Sequence, residues 1–158
     1  MSFSRGLESA GEAVLMVRAD SFHCAFPIGG ITETCRPLPV QSVDGMPPFV
    51  CGVAVIRGVT TPVLNLAQLL AGGARRAGRR FVTGKVRERP VAFEVDEVLG
   101  VRRLTAAHLE AASPLVGGPM AGALAKTGVL DGELLAWLDA GRLVSDELLD
   151  LVLAEGWA

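Results

Sequence analysis

Phe49-Val-Cys-Gly-Val-Ala-Val-Ile-Arg-Gly-Val-Thr-Thr-Pro-Val-Leu-Asn-Leu-Ala-Gln-Leu-Leu-Ala-Gly72 is the stretch whose pattern decides the fold. Its unbroken apolar run from Val50 to Ile56, rich in β-branched residues, predicts a buried strand. Arg57-Gly58 predicts a tight turn, and Val59 to Leu64 a returning strand. Leu66, Leu69 and Leu70 then recur at helical spacing, so a short helix follows, stopped by Gly72 and Gly73. A lone charge, Arg57, stands at the hairpin tip among residues that favour burial. Its guanidinium is expected at the rim of a packed surface, where a planar, permanently charged fork suits a carboxylate.

Outward from this hairpin the pattern remains one of short strands. Val14 to Ala19 and Phe22 to Pro27 predict an opening hairpin with Asp20-Ser21 as its turn, and Gly29-Gly30 allows a sharp bend before Ile31-Thr-Glu-Thr-Cys35. Ala71 to Arg80, dense in glycine and arginine and without hydrophobic period, reads as a connector between two lobes. Arg80 to Val86 and Val91 to Gly100 are strands about a turn at Arg87 to Pro90. In the latter, Val91, Phe93 and Val95 alternate with Ala92, Glu94 and Asp96, which predicts one buried face. Val101 to Leu104 adds a short strand, Thr105 to Ala112 a helical turn capped by Thr105, and Ser113 to Thr127 a loop. Val129 to Asp139 forms a hairpin about Asp131-Gly132. Ser145 caps a last amphipathic helix bearing Leu148, Leu149, Val152 and Leu153.

The hairpin and its flanks resemble CheW-like domains, the chemotaxis coupling family that joins receptors to a histidine kinase. Val55-Ile56-Arg57-Gly58, followed by Pro62-Val63-Leu64-Asn65-Leu66, is similar to that family's Asn-Leu-Arg-Gly … Pro-(Ile/Val)-(Ile/Leu)-Asp-Leu signature. Val95-Asp96-Glu97-Val98 and the closing hairpin follow in the same order, and Leu38-Pro-Val and Met46-Pro-Pro-Phe resemble its extended approach to the central strand. Thr83-Gly84-Lys85 departs from the pattern, since those positions are usually apolar; either the strand is an edge or its outer face has changed partners.

The resemblance covers Val14 to Val144 and implies a mainly β fold: two SH3-like five-stranded β-barrels around a shared hydrophobic core, with short edge helices and a C-terminal helix. It implies a single domain over 13–158 and leaves the first dozen residues unexplained; these, with one positive charge and no apolar core, read as a flexible lead-in over 1–12. It also implies a non-enzymatic adaptor without cofactor or metal, coupling methyl-accepting chemotaxis receptors to a CheA-type histidine kinase. Ile31, Glu33, Arg57 and Gly58 are the partner-binding residues it indicates. Glu33 is expected to face Arg57 as an ion pair at a buried edge, in a groove between the barrels that receives the receptor's cytoplasmic tip. The kinase's regulatory domain would take another surface.

Composition narrows the alternatives. Half of the 158 residues are apolar, yet no run approaches the roughly 18 apolar residues of a membrane span. Met1 to Glu12 has neither the charge nor the apolar core of a signal, so a cytoplasmic protein, recruited to membranes through its partners, is expected. Cys24, Cys35 and Cys51 are odd in number and match no zinc or redox spacing, which suits reduced, buried thiols. His23 neighbours Cys24, but adjacent residues of a strand face opposite ways, so no thiol–imidazole dyad forms. Gly72-Gly73 leads into arginines and makes no phosphate loop, and Glu94, Asp96 and Glu97 read as surface charge beside a buried strand. Arg75, Arg76, Arg79, Arg80, Lys85, Arg87 and Arg89 form a basic cluster. Small barrels bind nucleic acid with such clusters plus aromatic platforms, but only Phe81 accompanies this one and the chain has no tyrosine. A divergent adaptor of another receptor–kinase pathway, in motility or development, is the first alternative, and a basic β-barrel binding nucleic acid the second.

Overall fold

The computed structural model describes residues 11–72, 78–105, 109–111, 124–130 and 133–156. Eleven strands run in chain order: β1 (Glu12–Ala19), β2 (Phe22–Pro27), β3 (Ile31–Cys35), β4 (Val50–Ile56), β5 (Val59–Asn65), β6 (Arg80–Val86), β7 (Arg89–Val95), β8 (Glu97–Leu104), β9 (Leu109–Ala111), β10 (Leu124–Leu130) and β11 (Glu133–Leu138). Helix α1 (Leu66–Ala71) follows β5, while α2 (Ala140–Leu143) and α3 (Asp146–Gly156) close the described chain. The architecture is the expected one: mainly β, in two packed sheets, with short helices and a C-terminal helix.

The strands sort into a six-stranded sheet, β8-β1-β2-β11-β10-β9, and a five-stranded sheet, β3-β6-β7-β5-β4. The expectation of five strands in each lobe therefore holds for one sheet only. Neither does the partition follow the 71–80 connector, because β3 to β5 before it and β6 and β7 after it share one sheet. The chain changes sheets instead between β2 and β3, through a 3₁₀ turn at Ile28–Gly30, and between β7 and β8 at Asp96. Pairing is antiparallel except at β2–β11 and β5–β7, where the returning chain adds a parallel strand.

Both sheets roll up. β8 and β9 are opposite edges of the six-stranded sheet, yet only residues 105–108 join them. Five strand spacings of about 4.8 Å would set the edges of a flat sheet about 24 Å apart, beyond the roughly 18 Å that five residue steps span. In the other sheet, the edge strands β3 and β4 are brought together by a contact between Glu33 and Arg57.

Burial follows from this geometry. Between the sheets, Leu15, Val17 and Phe26 meet Val53, Leu64, Val82 and Phe93, and α3 adds Leu149 and Val152. The Phe26 and Phe93 rings lie 5.3 Å apart and tilted by 35°. Inside the rolled sheets sit two smaller clusters, one around Met16, Leu104 and Leu135, the other around Cys51, Ile56 and Phe81.

Several local expectations change. β7 has a core on each face, Val91, Phe93 and Val95 packing between the sheets and Ala92 inside its own rolled sheet, so Ala92 and Glu94 are buried as well. Glu94 is thus no surface charge. β6 is likewise internal, between β3 and β7, with Thr83 buried and donating to the Glu33 carbonyl at 3.2 Å. Gly84 is required there because a Cβ would stand 2.1 Å from the Gly30 carbonyl oxygen. The helical turn expected over 105–112 is overridden at 109–111, which pair with β10 as β9, and β10 takes up 124–127 of the expected loop. The Asp131-Gly132 turn and the lead-in over 1–10 lie outside the described residues, and strand structure already begins at Glu12.

The C-terminal helix starts as its sequence dictates. Ser145 Oγ accepts the Leu148 N–H at 3.1 Å, and Asp146 and Glu147 occupy the first turn. Two arginines of the β6–β7 hairpin then hold it. Arg87 donates to Asp146 at 3.1 Å, to the Gly141 carbonyl at 2.7 Å and to the Val144 carbonyl, while Arg89 donates to the Asp146 carbonyl at 3.0 Å and to the Asp150 carboxylate.

Candidate partner-binding site at the hairpin tip

The β4–β5 register ends at Ile56 opposite Val59, leaving a two-residue loop of Arg57 and Gly58. Both have positive φ, 50° and 78°, as the twist of a hairpin closed in two residues demands. Glycine adopts this freely; arginine seldom does. Gly58 has open space where a side chain would be, so its conformation rather than crowding calls for glycine.

This turn presents the Arg57 guanidinium to Glu33. Nε donates to Oε1 at 2.5 Å and Nη2 to Oε2 at 2.8 Å, a two-pronged pair. The Arg57 side chain is 77% exposed and that of Glu33 25%, so the pair lies on the surface rather than at the expected buried edge. The hydrogen bond from Arg57 holds the Glu33 carboxyl below its ordinary pKa, and Glu33 in turn raises that of Arg57. Val55 and Val59, which flank the turn, are 65% and 47% exposed. A fixed ion pair therefore stands beside bare aliphatic surface.

Ile31 lies elsewhere. The β3–β6 register shifts between Ile31 and Glu33, and on the near side of that bulge Ile31 packs toward the shared core. It lines a cleft of about 370 Å³ between the sheets, together with Phe26, Val86, Phe93 and Trp137. Glu33 and Arg57 are not part of that lining. The four residues indicated by the sequence thus divide into a surface pair with its turn glycine and an apolar residue in a separate cleft.

Behind the hairpin is a polar contact that the sequence reading missed. Asn65 donates to Glu94 Oε1 at 2.8 Å, and the Cys51 thiol approaches the same oxygen at 3.6 Å. The signal was a single acid within the apolar strand Val91-Ala-Phe-Glu-Val, opposite an amide where the resembled signature has an acid. The exposed valines beside Arg57 were missed too, because an apolar run does not reveal which of its residues lies at a bare edge.

Among the described residues no group of three or more His, Cys, Asp and Glu could hold a metal ion, and no described helix is long and apolar enough to cross a membrane. Residues 13–148 match the CheW-like domain as a family. The chain belongs to the CheW-like domain family. This CheW-like domain is 30% identical over 136 residues to the chemotaxis protein CheW of Thermotoga maritima, covering 84% of this chain and 87% of that one. Its fold is similar to the crystal structure of the scaffolding protein TtCheW from Thermoanaerobacter tengcongensis, with a TM-score of 0.73 at 15% identity over 84% of this chain and 92% of that one.

Proposed function

We propose that this CheW-like domain is a non-enzymatic coupling adaptor of bacterial chemotaxis that holds a methyl-accepting receptor tip and the regulatory domain of a CheA-type kinase in one assembly. The observation that carries this reading is the Glu33–Arg57 pair, displayed beside exposed Val55 and Val59 on the turn where the family resemblance puts partner contact. Aliphatic surface supplies affinity by burial, and a preset ion pair supplies register and partner choice. The adaptor acts by position: it transmits a receptor change only so far as its contacts differ between the kinase's two states. Ile31, in the inter-sheet cleft, serves a second contact region.

The test is a titration of the folded protein against a receptor tip fragment and a kinase regulatory domain separately, repeated with Arg57→Glu and Glu33→Arg. Wild-type binding to both, with receptor binding lost in each variant, is expected. Undiminished receptor affinity in both variants refutes the site, and binding to neither partner refutes the adaptor reading. The divergent-adaptor alternative drew on Thr83-Gly84-Lys85, two of which are accounted for by internal packing of β6.

A further inference from the structure

Of the basic cluster, Arg75 and Arg76 lie outside the described residues, and the basic residues from Arg79 to Arg89 do not act as one group. Arg87 and Arg89 are engaged by α3. Arg79 and Arg80, at the start of β6, are joined instead by Arg36, just past β3, and by Arg18 of β1. Together they line an open cavity of about 720 Å³ where β1 and β8 of one sheet meet β3 and β6 of the other. Arg18 is already neutralised: its Nε lies 3.3 Å from Glu97, its Nη1 3.9 Å from Asp96, and it donates to the Asp20 carbonyl. Arg36, Arg79 and Arg80 are exposed and make no side-chain hydrogen bond or ion pair among the described residues.

Three unpaired guanidiniums, from segments distant in sequence, thus converge on one concavity. A concave wall focuses their field, where a convex face would disperse it into solvent. We propose that this cavity docks a carboxylate-rich segment of a partner protein, each guanidinium forking onto a carboxylate. Guanidinium geometry matches carboxylates in a planar, two-pronged way. Asp96 and Glu97, the carboxylates paired with Arg18, also line the cavity, and Pro37 and Val98 add apolar surface for the segment's uncharged side chains. Among the described residues no aromatic side chain lines the cavity, so they offer nucleic-acid bases no stacking platform there, which favours a peptide. The volume lies within the roughly 300–1,000 Å³ of pockets that hold small ligands, room for a short extended segment and not for a folded element. These residues are distinct from the hairpin tip, and the proposal stands apart from the adaptor reading.

The test is fluorescence anisotropy with a labelled peptide of alternating glutamate and valine, at low and at physiological salt. The wild-type protein should bind it, more weakly as salt rises. Arg79→Ala/Arg80→Ala should weaken binding at least about tenfold, and Arg36→Ala, which lies outside both sheets, should weaken it as well. Arg102→Ala/Arg103→Ala, an equal loss of charge at the far end of β8, should change it by less than about twofold. Equal weakening by the two double variants, unchanged affinity in Arg36→Ala, or no wild-type binding overturns the proposal. So does tighter binding of a single-stranded oligonucleotide of the same charge.

Discussion

Asn65 donates its side-chain amide to Glu94 at 2.8 Å while its carbonyl oxygen accepts the Gln68 N–H at 2.9 Å, so one buried side chain both caps α1 and pairs a buried carboxylate. The amide supplies both the donor and the acceptor that the two tasks need. Asn65→Asp keeps the cap and puts a second carboxyl against Glu94. We expect it to destabilise the protein by about 1–3 kcal/mol at neutral pH. The two carboxyls can share a proton only in the folded state, so folding takes up a proton and the deficit should shrink as the pH falls. Urea denaturation at pH 7 and pH 5 checks this; an equal deficit at both counts against the contact.

The Glu33–Arg57 pair has the opposite dependence. A carboxyl whose folded pKa is depressed contributes above its unfolded value and loses that contribution as the pH falls through the folded one. The pair should therefore persist through the ordinary carboxylate range and break only below it. In an NMR titration, the Glu33 carboxyl should have a low midpoint that returns toward the ordinary value in Arg57→Ala. Because the pair is exposed, the melting temperature of that variant should hardly move.

Docking of α3 should respond to the β6–β7 turn. Arg87 binds the Gly141 and Val144 carbonyls as well as Asp146, whose carboxyl is held below its usual pKa by that hydrogen bond first. Arg87→Ala should lower the melting temperature and speed amide exchange across 146–156 more than in β7. Asp150→Asn, which keeps the Arg87 contacts, should have the smaller effect. Acid below the range in which Asp146 stays ionised should mimic part of the Arg87 loss.

The three thiols should react in an order set by burial. Cys24 is wholly buried and its pKa is pushed up to about 12 by desolvation. Cys35 is half-buried, its pKa raised by desolvation first and then by Glu33. Alkylation should modify Cys35 first, slowly at neutral pH and faster as the pH rises, and Cys24 only under unfolding conditions. Mass spectrometry of timed samples reads this directly; early Cys24 labelling would contradict the packing.

Local chemistry explains which parts of this were legible. The β4–β5 hairpin was plain because β-branched runs flank an Arg-Gly turn, and α3 because Ser145, Asp146 and Glu147 precede its leucines. Leu109-Glu-Ala was misread because its residues favour helix, a weak preference that pairing with β10 overrides. Glu94 was misread because alternation reports one packed face, whereas a central strand between two cores has two. The Glu33–Arg57 contact depends on a sheet rolling until its edge strands meet, which no local pattern encodes; family resemblance alone pointed to it.

The passage of the chain between sheets also sets an order for its emergence from the ribosome. The five-stranded sheet draws on residues 31–95 alone, so all its strands are available before β8 is made. The hairpin of β1 and β2 precedes that sheet, yet its neighbours β8 and β11 follow only from Glu97 and Glu133. Val14 and Met16 have only β2 beside them until β8 is translated, and β2 has no second partner until β11 follows. The first hairpin of the domain is thus among its last segments to be enclosed, an apolar pair of strands kept waiting while the five-stranded sheet folds.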